Sequence, residues 1–141
     1  MNKGFNFNYT TPFYLGKIQG GLNYMQFSSK YKFRPDFQSY FIYAGWLYDF
    51  QLINKLSFAP CIKIGNYLMN FDIESQYEKY ESEVCIEYSI LLKYSLNESV
   101  AINLELGKNF VYTYKNIDLI LLKTGISFQL ETPEFFNGIQ E

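Results

Sequence analysis

The chain has 141 residues, a net charge of −2 at neutral pH and room for one domain. Fourteen Phe, fourteen Tyr and one Trp make up 21% of it, against 18% charged residues and a mean hydropathy of −0.14. That much apolar matter excludes a disordered chain, and a pI of about 5.2 lacks the basic footprint of a nucleic-acid binder. The absence of His removes Ser-His-Asp triads, Cys-His dyads and His-based zinc sites.

No window of about 18 apolar residues exists, so no transmembrane helix is predicted. The longest uncharged stretch, residues 4–16, is broken up by polar side chains. The first nine residues lack the apolar core of an export signal. What the chain does have is alternation. Phe5, Phe7 and Tyr9 alternate with Asn6, Asn8 and Thr10, a short first strand. Ile18, Leu22 and Tyr24 form a weaker stripe, broken by Gly16, Gly20 and Gly21, which mark a bend or a close strand approach. Tyr40, Ile42, Ala44, Trp46, Tyr48, Phe50 and Leu52 oppose Ser39, Phe41, Tyr43, Gly45, Leu47, Asp49 and Gln51, and read as one strand. Leu56, Phe58, Pro60, Ile62 and Ile64 oppose Ser57, Ala59, Cys61 and Lys63. After Gly65-Asn66 the apolar phase slips to Tyr67, Met69 and Phe71, which predicts a β-bulge.

The clearest strand follows. Val84, Ile86, Tyr88, Ile90, Leu92, Tyr94 and Leu96 oppose Glu83, Cys85, Glu87, Ser89, Leu91, Lys93, Ser95 and Asn97. Val100, Ile102, Leu104, Leu106, Phe110, Tyr112 and Tyr114 then share a face on which Lys108 is the lone break. Ile120, Leu122, Ile126, Phe128 and Leu130 close the series, with Thr124 a break, opposite Lys123, Gly125, Ser127, Gln129 and Glu131. A period of two belongs to strands, not helices.

Seven strands result, six of them about 13 to 17 residues long, against about 5 to 6 in ordinary sheets and about 9 to 11 for a tilted membrane span. Residues 52–55 and 96–99 are tight turns, whereas 28–37 and 74–83 are long and charged; the connection near 114–118 is shorter. Short turns at one rim and long loops at the other are the habit of outer-membrane barrels. Tyr40, Trp46, Tyr48, Tyr94, Tyr112 and Tyr114 are assigned to lipid interfaces, where aromatic girdles lie.

The fold expected is therefore all-β: an antiparallel up-and-down transmembrane β-barrel of about seven to eight strands. Residues 1–132 form the barrel and 133–141 a short periplasmic tail, in which Phe135, Phe136 and Ile139 can face lipid. The inward face then carries Lys17, Asp49, Lys63, Glu87, Lys93, Glu105 and Lys123. A barrel of about eight strands is narrow enough to be filled by side chains, so these charges must pair, and a salt-bridged core is expected. Read functionally, the same charges would line a narrow ion path or a small-solute site. Glu87 and Glu105 sit inward on adjacent strands. Paired carboxylates can do acid–base work, but Lys93 and Lys123 beside them point to ion pairing. No catalysis and no cofactor is expected.

Cys61 and Cys85 invite a disulfide, but a hairpin centred within 76–81 would set Cys61 opposite Leu96 and Cys85 opposite Asp72, which predicts two free thiols. Lys30, Lys32 and Arg34, with Tyr31 and Phe33, read as a solvated basic–aromatic loop or as a contact for lipopolysaccharide phosphates.

Gly-Lys-Ile-Gln-Gly-Gly-Leu-Asn-Tyr (16–24), Tyr-Ala-Gly-Trp-Leu-Tyr (43–48), Lys-Ile-Gly-Asn-Tyr-Leu-Met-Asn-Phe (63–71), Glu-Ser-Glu-Val (81–84) and Leu-Glu-Thr-Pro-Glu-Phe-Phe (130–136) resemble outer-membrane β-barrel proteins of the Bacteroidetes type, a porin-like small barrel family. The resemblance spans most of the chain and implies fold and compartment. It places the protein in the bacterial outer membrane, with outer-membrane lipid and lipopolysaccharide as partners, no nucleic acid, and a structural, binding or porin-like role through extracellular loops. The family has no agreed catalytic motif to carry over. Members carry an export signal, and bacterial single-chain barrels have an even strand number. Seven strands and no signal therefore predict a further strand and a signal encoded upstream of Met1. The main rival is a soluble lipocalin-like or fatty-acid-binding barrel, whose apolar face would turn inward around a small apolar ligand.

Overall fold

The computed structural model describes residues 3–28, 36–71, 80–112 and 117–128. These form one antiparallel sheet, curled into a half-barrel, with no helix among the described residues. The strands are β1 (Lys3–Pro12), β2 (Lys17–Phe27), β3 (Phe37–Leu47), β4 (Phe50–Ile53), β5 (Leu56–Phe71), β6 (Tyr80–Ser95), β7 (Val100–Tyr112) and β8 (Ile117–Phe128). They pair in the order β1-β2-β3-β5-β6-β7-β8, and short β4 folds back onto β5. At 10 to 16 residues the seven long strands exceed ordinary strands, although β2 and β3 are shorter than their alternation predicts.

The turns at one rim are tight and locally stabilised. The β1–β2 turn closes with the Phe13 amide donating to the Gly16 carbonyl at 3.0 Å. Gly16 adopts a φ of 139°, and a side chain there would strike the Leu47 carbonyl and the Trp46 indole. Between β6 and β7, the Asn97 side-chain carbonyl accepts from the amides of Ser99 and Val100 at 2.9 and 2.8 Å.

Side-chain orientation follows the alternation. Ile42, Ile64, Val84, Ile90, Leu106 and Leu122 project from the outer face into open space. The concave face holds a layered interior. Phe41, Tyr43, Tyr67, Met69, Cys85 and Val111 pack together toward the long-loop rim. Leu47, Ala59 and Cys61, with Leu91 against them, pack toward the tight-turn rim. Between these two apolar layers lie Lys63, Glu87, Ser89, Glu105 and Asn109, all buried.

Three expectations are corrected. No bulge occurs at Gly65-Asn66, since β5 keeps one register with β3 and with β6 through both residues. Tyr67 and Met69 stay on the face of Lys63, and what changes there is the interior's chemistry, from charged to aromatic. The register shift falls between Gln51 and Ile53 instead, on β4. The predicted single strand across 40–52 is also two pieces. Strand β3 ends at Leu47, and Asp49 leaves the ladder for a partner on β2, described below. Finally, Cys61 lies opposite Ser89 and Cys85 opposite Gly65, not Leu96 and Asp72. The hairpin is centred nearer β5 than the sequence suggests. The four-residue offset still separates the two positions by roughly 13 Å at strand rise, and both buried thiols are free.

Candidate functional site

Four of the seven predicted interior charges converge in one cluster. Lys63 on β5 sits opposite Glu87 on β6, and Glu105 on β7 sits opposite Lys123 on β8. The Lys63 ammonium donates to Glu87 Oε1 at 2.7 Å and also to Glu105 Oε1, two strands away. The Lys123 ammonium donates to both oxygens of Glu87, at 2.7 and 2.8 Å, and lies 3.8 Å from Glu105 Oε2. Ser89 donates its hydroxyl to Glu105 Oε1 at 2.6 Å. Glu87 is 0% exposed and Lys63 2%. Two carboxylates and two ammoniums make the cluster electrically neutral, as burial demands.

Small residues make the convergence possible. A Cβ on Gly45 of β3 would sit 2.8 Å from Lys63 Cγ, so this glycine gives the lysine stem its space. A Cβ on Gly107 would come within 3.1 Å of Ser89 Cβ and 3.5 Å of the Glu87 carboxyl carbon. The Tyr43 ring faces the Lys63 ammonium at 5.1 Å, and its hydroxyl passes over Gly21 of β2 to donate to Asn6 Oδ1 of β1 at 3.2 Å.

The remaining predicted interior charges lie elsewhere. Lys17 and Asp49 pair at 2.6 Å at the tight-turn rim, where both are part-exposed. Lys93 is oriented inward opposite Ser57 and Asn103, but no ion pair joins it to the cluster among the described residues. Sequence reasoning missed Ser89, Asn109, Gly45 and Gly107, which became visible only with the strand register. Asn109 is fully buried opposite Glu87, and neither atom of its amide has a hydrogen-bond partner among the described residues.

The outer face carries aromatic rows. Near the long-loop rim the rings of Phe5, Tyr24 and Tyr40 stand 5.3 and 5.1 Å apart in sequence of strands. Near the tight-turn rim Trp46, Tyr48, Phe50 and Phe58 form a chain with centroid spacings of 6.3, 4.8 and 5.0 Å. Tyr94 lies opposite Leu56 at that end, and Tyr112 lies opposite Val84 at the other. Along β6 the two levels are about 33 Å apart at strand rise, or about 25 Å along a barrel axis for a tilt of about 40°. Lys108, the break in the outer face, directs its ammonium toward the long-loop rim. It pairs with Asp118 at 3.0 Å and lies 4.5 Å over the Phe110 ring. Asp118 was not foreseen, because a diagonal pair needs the β7–β8 register.

Tyr114, the basic loop 30–34 and the tail 133–141 lie outside the described residues. Chemically, both carboxylates of the cluster are engaged by lysines, so the arrangement serves cohesion of the interior. No protein-family model matches the chain, and neither a curated protein nor a solved structure does.

Proposed function

We propose that this chain is a small β-barrel of the bacterial outer membrane, of the Bacteroidetes type. Its role is structural or binding, exercised through the long connections rather than by catalysis. The observation that carries the reading is the outer face: aliphatic and aromatic side chains point outward, while the concave side holds lysines, carboxylates and amides between two apolar layers. A water-soluble sheet hides its apolar face, and a barrel in hydrocarbon displays it. The aromatic rows support it as well, since their spacing of about 25 Å suits the apolar band of an outer-membrane barrel. Lys108 snorkelling toward Asp118 suits a lipid-facing strand near its interface. Outer-membrane lipid is then the main partner, with lipopolysaccharide phosphates as the counterpart of the basic loop.

The test is expression with an export signal, followed by membrane fractionation and electrophoresis with and without boiling. A chain in the outer-membrane fraction whose gel mobility shifts on heating meets the expectation. A chain that stays in solution without detergent defeats it, and favours the soluble ligand-binding barrel.

A further inference from the structure

We infer that Lys63 sets the register in which two blocks of the sheet are joined, by docking into an acidic seat made by Glu87 and Glu105. The blocks are β1–β5 and β6–β8, linked along the chain by residues 72–79. Within the second block, register is fixed locally. The Asn97 turn closes β6 onto β7 with Ser95 opposite Ala101, and residues 113–116 return β7 to β8 with Val111 opposite Ile117. A connection as long as 72–79 imposes no single pairing, because loop length and turn type fix register only in short hairpins. The ionic cluster is divided along the same line. Lys63 belongs to the first block, while Glu87, Glu105 and Lys123 belong to the second.

Backbone pairing does not choose between registers at the β5–β6 seam. A slip of two residues restores the ladder and keeps each side chain on its face. On the outer face it exchanges like for like. Ile64 would meet Val84 or Tyr88 in place of Ile86, and Ile62 would meet Ile86 or Ile90 in place of Tyr88. On the inner face the same slip carries Lys63 about 7 Å along the seam from its place opposite Glu87. Lys63 cannot follow, because its stem lies against Gly45 and its ammonium against the Tyr43 ring, both on β3. The carboxylates are held from their own side, Glu87 by Lys123 and Glu105 by Ser89. A slipped sheet therefore buries a lone positive charge on one block and an excess negative charge on the other, which is costly. The ionic layer gives the seam a selectivity that the aliphatic rows lack. Since it concerns the inner face alone, the inference is independent of the membrane reading.

The test is disulfide mapping across the seam in detergent micelles, with Cys61→Ala and Cys85→Ala in every chain. Ile64→Cys is combined in turn with Val84→Cys, Ile86→Cys or Tyr88→Cys, the chains are oxidised, and bridged peptides are quantified by mass spectrometry. Directly opposed positions lie within bridging distance, whereas diagonal ones, at about 7–8 Å, do not. With the cluster intact, only the pair with Ile86→Cys is expected to bridge. In the neutral Lys63→Met/Glu105→Gln background, bridging of the two slipped pairs should rise about tenfold or more. Bridging that stays confined to Ile86→Cys in the neutral background overturns the inference, as do slipped bridges in the chain with its cluster intact. If the neutral chain does not fold, an inverted cluster decides. Lys63→Glu/Glu87→Lys/Glu105→Lys/Lys123→Glu keeps the seat with its signs exchanged, and should fold and bridge only with Ile86→Cys; slipped bridges or failure to fold overturn the inference.

Discussion

Lys63 is buried between the apolar layer that holds Tyr67 and Met69 and the one that holds Cys61 and Ala59, and its stem lies along the notch left by Gly45. Its charge is tolerated because Glu87 and Glu105 share it, and theirs because Lys123 completes the neutral set. Removing one partner of a buried ion pair strands the rest. Lys63→Met is therefore expected to lower unfolding free energy by about 3–5 kcal/mol, read from denaturant midpoints in detergent micelles. The double substitution Lys63→Met/Glu105→Gln restores neutrality and should recover a large part of that loss; a purely additive result would contradict coupling through the cluster. Two glycines give a matched contrast. Gly45→Ala forces a methyl against Lys63 Cγ and the Ile62 carbonyl, at a cost of about 1–3 kcal/mol. Gly125→Ala meets open space and should change stability by less than about 0.5 kcal/mol in the same measurement.

At the scale of a strand, β6 shows how one element serves two environments. Its inward residues Cys85, Glu87 and Ser89 are buried, while Tyr88, Ile90 and Leu92 point away from them. Ile90 lies midway between the levels of Tyr94 and Val84. On the membrane reading, Ile90→Arg should destabilise the chain in vesicles by about 2–4 kcal/mol, because the guanidinium enters hydrocarbon. On an aqueous surface the same change is worth within about 0.5 kcal/mol, so the size of the effect in refolding titrations discriminates the two. The β5–β6 register carries its own expectation. Cys61 and Cys85 are offset by four residues, so mass spectrometry after denaturation without reductant should find both thiols alkylated. The alternation of β6 and β7 was legible because each face is chemically uniform. That of β5 was misread as a bulge because its buried face changes from charged to aromatic midway, so hydrophobicity alone mimics a change of phase.

Across the whole molecule, the sheet presents an apolar outer face and a mixed interior, and its two edges remain open among the described residues. The interior is filled by two apolar layers around a neutral ionic one, so the folded chain is expected to give no step conductance in planar bilayers. Steps that persist in the wild-type chain would show that the interior is not packed as described. The sequence by itself determined the strand class and, outside the stretch after Gly65, which residues of each long strand share a face, because a period of two depends on neighbours along one strand. It also determined that the thiols stay apart, despite the wrong pairing, since a disulfide fails at either offset. Only the tertiary structure decided which charges meet. Lys63 reaches Glu105 across an intervening strand, Asp49 turns away to Lys17 and Lys93 stays out of the cluster. Those outcomes depend on register and curl, which are set by packing between strands distant in sequence, and alternation within a strand carries no record of them.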